Sequence, residues 1–168
     1  MRYNIQHNKK GGRPMDILQK LTEDLAISMK SKEEGSDLRT STLRMMKAAL
    51  KNAEIAKRGK GDLNDDDVVS ILSTMVKQRK DSFDQYVAAS RQDLADKEGR
   101  EIAIIQEYMP KQFSPEELDE VIRATIRETG VTNMKEMGKL MKELLPKVKG
   151  KADGKAVNQR IRELLEGA

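Results

Sequence analysis

Along most of the chain apolar residues recur every three or four positions, and no stretch alternates with a period of two for long enough to make a strand. The pattern predicts an all-α protein. A first helix from Asp16 carries Leu18, Leu21, Leu25 and Met29 on one face and ends before Gly35. A second, from about Asp37, turns Leu43, Met46, Leu50 and Ala53 inward and stops near Arg58-Gly59. Asp65, Asp66 and Asp67 open a third, whose acidic first turn complements the helix dipole and whose inner face is Val68, Leu72, Met75, Val76, Phe83, Tyr86 and Val87. A fourth from about Arg91 presents Leu94, Ile102, Ile105 and Tyr108, and Pro110 ends it.

Punctuation then marks a boundary. In Pro110-Lys111-Gln112-Phe113-Ser114-Pro115, Ser114 is an N-cap, Pro115 stands at the first helical position, and Glu117 completes a capping box. The fifth helix, with Leu118, Val121, Ile122 and Ile126 inward, ends at Gly130. Asn133 begins the sixth, on which Met134, Met137 and Met141 fall at core spacing, with Leu144 and Leu145 following. Asp153 begins the seventh, carrying Val157, Ile161, Leu164 and Leu165. The expected organisation is an N-terminal extension (1–14), a four-helix domain (15–110) and a small three-helix domain (111–168). Three helices of this size leave little room for an enclosed pocket, which favours a binding surface over a catalyst.

Composition supports a helical protein without a large aromatic core: 37% of the 168 residues are apolar, 36% charged and 3% aromatic, with no Trp. There is no Cys, which excludes a disulfide scaffold, a thiolate zinc site and a cysteine nucleophile. No apolar run approaches a bilayer span, and no apolar leader opens the chain. A cytoplasmic protein without a membrane partner is therefore expected. The net charge of +4 equals that of residues 1–14 alone, which hold Arg2, Lys9, Lys10 and Arg13 and no acid and read as a disordered extension. An anionic partner must then be argued from local clusters.

The strongest cluster runs Pro146-Lys147-Val148-Lys149-Gly150-Lys151-Ala152-Asp153-Gly154-Lys155 into Val157-Asn158. It places lysines at the start of the last helix, where unpaired N–H groups and the positive dipole end suit phosphate. Gly150 and Gly154 would let the backbone come close. The candidate RNA-binding set is Lys147, Lys149, Gly150, Lys151, Ala152, Lys155 and Asn158. With no aromatic residue nearby to stack on bases, such a site would recognise backbone and shape, as in a folded RNA. The plain alternative is a solvated loop. A nucleotide-hydrolysing loop is rejected: three residues separate Gly150 from Gly154 where four are required, Ala156 replaces the magnesium-binding hydroxyl, and no strand precedes. Lys77, Arg79 and Lys80 form a secondary basic cluster. Arg79 lies one helical turn from both Met75 and Phe83, so the plain reading is an ion pair with Glu98 or Glu101. Lys57-Arg58-Gly59-Lys60-Gly61 reads as cations satisfying a helix end.

Catalytic candidates are few. His7, the single histidine, falls in the extension, and Ser41, Ser82 and Ser90 have no histidine partner. Asp65 to Asp67 lack the glycine turn and distal glutamate of a calcium loop and read as a helix cap. No catalytic residue, metal-ligand set or cofactor is identified.

The block Met137-Gly138-Lys139-Leu140-Met141, Pro146 to Gly154 and Val157-Asn158 resembles the signature of the YqeY-like proteins and the C-terminal tail domain of the tRNA-dependent aspartyl/glutamyl amidotransferase. The likeness extends through Thr42-Leu43-Arg44, Ala48-Ala49-Leu50-Lys51, Glu54-Ile55, Lys77 to Ser82, Tyr86, Arg91 to Leu94 and Tyr108 to Gln112. It implies a helical N-terminal domain joined to an amidotransferase-tail-like domain, a part that helps hold the tRNA body in the larger protein. Carried over, it gives Lys147, Lys149, Gly150, Lys151, Ala152 and Asn158. The catalytic cradle has no counterpart here, although the likeness would attach carbon–nitrogen ligase activity with glutamine as amido donor. Three roles follow: a non-catalytic accessory protein binding tRNA or another structured RNA, a protein-interaction module of an amidotransferase or aminoacyl-tRNA synthetase complex, and such a ligase.

Overall fold

The computed structural model describes residues 14–58 and 61–166, apart from the side chains of 14–16 and 166. The expected extension lies outside the described residues except for Pro14, which opens the first helix in place of Asp16. Proline suits that position because its missing N–H would have no helical partner there. Among the described residues the regular elements are all helices, with no strand: α1 (Pro14–Lys30), α2 (Ser36–Ala56), α3 (Asp65–Ala88), α4 (Gln92–Gln106), α5 (Pro115–Thr129), a 3-10 turn (Met134–Glu136), α6 (Met137–Val148) and α7 (Gly154–Glu166).

The chain forms two compact units that part inside α3, at Val68/Val69. In the first, α1 and α2 pack as a helical hairpin. Leu21, Leu43, Met46 and Leu50 are fully buried. Met29, expected inward, is 58% exposed. Ser28 takes its place, since positions 21, 25 and 28 lie on one helical stripe and 29 falls beyond it. The Ser28 hydroxyl stays satisfied inside the hairpin, paired with Thr40 Oγ1 at 2.8 Å and donating to Ser36 O at 3.2 Å. The start of α3 is closed by a reciprocal cap: Asp67 N donates to Asn64 Oδ1 and Asn64 N to Asp67 Oδ2, both at 2.9 Å. Asp67 also accepts from Lys57 Nζ at 2.5 Å, so the acidic run closes a helix end and draws on the basic loop before it.

The second unit holds the rest of α3 and everything beyond it. Arg79 Nε donates to Glu101 Oε2 at 2.7 Å and ties α3 to α4, with the two side chains only 12% and 7% exposed. Val87, expected inward, is 48% exposed. Beyond Pro110, the predicted capping box forms around Ser114 and Glu117, and Gly130 ends α5 at φ 66°. A hydrophobic cluster follows, with Ile122, Leu140, Leu144 and Ile161 fully buried and Phe113, Met137 and Met141 packed against it. Its members all come from residues 113–165.

The compact unit is nevertheless larger than the three helices expected after 110. Gln112 Nε2 donates to Pro110 O at 3.0 Å and Gly150 O at 2.6 Å, and Phe113 N donates to Lys151 O at 2.8 Å. The proline-rich segment is thus bonded to the turn before α7.

The Arg79–Glu101 pair gives a stability test. Arg79→Met alone leaves a buried carboxylate unpaired and should cost about 3–5 kcal/mol in urea unfolding, whereas Arg79→Met with Glu101→Met should recover most of that loss.

Candidate functional site

Three stretches far apart in sequence line one open cleft of about 930 Å³ in the second unit. From α3 come Lys77, Lys80 and Asp81; from the segment after α4, Met109 and Gln112; from the turn and start of α7, Gly150, Ala152, Asp153, Lys155 and Asn158. Val76, Phe83 and Ile102 add apolar lining. A cleft of this size is within the range that takes ligands. A neighbouring depression of about 700 Å³ shares Lys80, Gln112 and Asp153 and adds Lys151 and Arg160.

The turn before α7 is built, not loose. α6 continues through Pro146 to Val148, so Lys147 belongs to the last helical turn; the buried Val148 anchors that turn, and Lys149 N still donates to Leu145 O at 3.0 Å. Gly150 then takes φ 70° and reverses the chain. A Cβ there would overlap Val69 Cγ1. Lys151 N and Ala152 N both return to Val148 O, at 2.9 and 3.1 Å. Gly150 is needed for this turn and for the close approach of α3. Gly154, with open space where its Cβ would stand and no positive φ, carries no such requirement.

Two of the expected N–H donors at the start of α7, those of Lys155 and Ala156, are already used. Asp153 Oδ1 accepts from Lys155 N at 2.8 Å and Ala156 N at 3.2 Å, while its Oδ2 accepts from Lys80 Nζ at 3.2 Å. Lys155 Nζ in turn donates to Asp81 Oδ1 at 2.9 Å. A cation and a carboxylate on α3 therefore meet a carboxylate and a cation at the start of α7, a crossed pair of ion pairs. Hydrogen bonding from Lys155 is the chief cause holding Asp81 below its ordinary value of 3.8, and Asp81 raises Lys155. Burial pushes Asp153 up, but the N–H of Ala156 and the Lys80 ammonium outweigh it and hold the carboxyl below 3.8.

The remaining candidates separate. Lys147 Nζ reaches back to Glu128 Oε2 and to Thr125 Oγ1 at 3.2 Å, away from the cleft lining. Lys149 is exposed. Lys151 lies over the Phe113 ring, 5.3 Å from its centroid, an aromatic neighbour that the order of the sequence hides. Ala152 packs against the hydrophobic cluster, and Asn158 is exposed on the cleft. In the secondary cluster, Arg79 serves the buried pair while Lys77 and Lys80 face the cleft. Sequence reasoning passed over Asp153, Asp81 and Gln112. The ion pairs that join the two basic stretches span 73 and 74 positions, a separation that no local periodicity reveals. The Ser73 hydroxyl, on the same cleft, is buried without a hydrogen-bond partner among the described residues.

The structure is that of a helical protein whose second unit carries an open, charge-balanced cleft, with Lys77, Lys80 and Lys155 set among Asp81, Asp84 and Asp153. The chain belongs to the Yqey-like protein family, whose model matches residues 18–165. It is similar to the protein named "Altered inheritance of mitochondria protein 41, mitochondrial" in three yeasts. The match is 39% identical over 59% of this chain and 52% of the relative in Vanderwaltozyma polyspora, and 36% identical over 56% and 49% in Lachancea thermotolerans. In Saccharomyces cerevisiae YJM789 it is 36% identical over 59% and 51%. The chain thus matches about half the length of these curated relatives. Their names are mitochondrial, which overturns the expected cytoplasmic location. Among the described residues no helix is long and apolar enough to cross a membrane.

Two outcomes check this geometry. Gly150→Ala should destabilise the protein by about 2–4 kcal/mol, from left-handed strain plus overlap with Val69, while Gly154→Ala should be neutral or stabilising by up to about 1 kcal/mol in the same unfolding assay. Because Asp81 and Asp153 are held below 3.8, their contribution is fully present above that pH and is lost as the pH falls through their lowered values. Between pH 5 and 8 the crossed pairs should not respond, and carboxyl NMR titration of Lys155→Met should return the Asp81 midpoint towards 3.8.

Proposed function

We propose that the chain is a non-catalytic accessory protein that binds tRNA or another structured RNA along the cation-bearing face around α7, and that it acts in connection with tRNA-dependent amidation. The observation that carries this reading is the convergence of the 77–82, 108–112 and 150–158 stretches on one cleft, where Lys77, Lys80 and Lys155 come together beside Asp81, Asp84 and Asp153. Lys149 and Asn158 are exposed on the same turn and helix. A phosphate backbone needs cations that remain mobile at the surface, and exposed ion pairs such as Lys155–Asp81, 72% and 43% exposed, hold their partners weakly enough to exchange. The resemblance to the amidotransferase tail supports tRNA as the RNA class.

A second reading, a protein-interaction module of an amidotransferase or aminoacyl-tRNA synthetase complex, is favoured by Ile27 on α1 and Ile55 on α2, 67% and 57% exposed. Such a partner should survive nuclease and high salt in a pull-down, which an RNA tether would not.

For RNA, contact with ~4 phosphates gives a log–log salt slope of about −3 to −3.6, a loss of roughly 50- to 150-fold between 50 and 200 mM salt. Fluorescence anisotropy with labelled bulk tRNA should show this dependence, and replacing Lys77, Lys80, Lys149 and Lys155 together by Gln should remove most of the affinity. Salt-independent binding, or binding unchanged in the fourfold variant, would refute the proposal.

A further inference from the structure

We infer that Asp153 is an internal competitor for the phosphate group that this cleft takes, so that binding proceeds by exchange of the Asp153 carboxylate for a phosphate oxygen. The inference rests on the RNA reading and specifies how the site is regulated. Asp153 gathers the donor set a phosphate oxygen would use: Lys155 N at 2.8 Å, Ala156 N at 3.2 Å and Lys80 Nζ at 3.2 Å. Asp81 occupies the second cation, Lys155, at 2.9 Å. Around these pairs the cleft is open, with a volume of about 930 Å³ and Lys77 and Asn158 on its lining.

The side chains of Lys80 and Asp153 remain 40% and 27% exposed, so the pair stands where an incoming anion can reach it. Each phosphate bound would release one carboxylate and leave the cation count unchanged. The cleft therefore stays closed to weak single anions and admits a ligand that brings several phosphates at once.

The test compares wild type, Asp153→Asn and Asp96→Asn, with labelled bulk tRNA and inorganic tripolyphosphate as probes. Asparagine caps a helix as well as aspartate does, so Asp153→Asn removes the charge while keeping the start of α7; circular dichroism melting checks this. Asp96, which accepts from Gln92 on α4, lies outside the cleft lining and controls for net charge. Asp153→Asn should bind tRNA about three- to tenfold more tightly, Asp96→Asn less than about twofold, and adding Lys80→Gln to Asp153→Asn should abolish the gain. If wild type binds tRNA but Asp153→Asn binds no better than Asp96→Asn, the competitor inference fails and the RNA reading stands. If tRNA binds none of the three but tripolyphosphate binds Asp153→Asn more tightly, the RNA reading fails and the exchange at Asp153 stands. Binding of neither probe to any variant overturns both.

Discussion

The turn at Gly150 is the constraint from which the second unit's working surface follows. Its left-handed backbone lets the chain reverse after α6, and its missing side chain admits Val69 of α3 into contact. Its carbonyl receives Gln112, and the next carbonyl receives Phe113 N. Those contacts fix where α7 starts, and so decide that Asp153 and Lys155 face Lys80 and Asp81. A residue that looks in the sequence like a flexible spacer among lysines is a point where no side chain fits.

This changes what the lysines are. Along the sequence they form a cluster pointing outward at a bare helix end. In space Lys147 turns to α5, Lys151 lies over Phe113, Lys155 bridges to α3, and the helix end is closed by Asp153. The electrostatic character of the face is that of an alternating network of cations and carboxylates, whose members can change partners more cheaply than buried groups can. The Arg79–Glu101 pair shows the contrast: its low exposure makes it a structural tie between α3 and α4, unavailable for exchange with a ligand.

How much of this is legible in the sequence depends on the range of the interaction. Capping at Ser114, the glycine stop at 130 and the core positions of Leu43, Met46, Ile122 and Ile161 are set by neighbours within one or two turns, and helical periodicity exposes them. Periodicity misplaces Met29 because one residue's rotation on a helix decides burial, and the Ser28–Thr40 hydrogen bond that rewards the alternative lies between two helices. A proline at 146 suggests a loop from that point on; the buried Val148 holds α6 for two further residues. The crossed ion pairs are out of reach because each stretch alone contains both signs of charge and gives no hint of its counterpart more than seventy positions away.

The lysine-rich turn and the 77–82 stretch meet in space, and the meeting constrains both. Either one alone is a charged helix segment that solvent would accommodate with many other sequences. Joined, they constrain each other: reversing the sign at Lys80 would strand Asp153, and reversing it at Asp81 would set like charges against Lys155. Two mixed-charge segments that meet with opposite polarity need to keep their order, spacing and phase, and the glycine turn between α6 and α7 is what sets that phase. A cleft made this way keeps its cations close together without accumulating unbalanced charge. Its lysines stay close together because Asp81, Asp84 and Asp153 stand among them, so the surface is balanced in charge while remaining dense in exchangeable ion pairs.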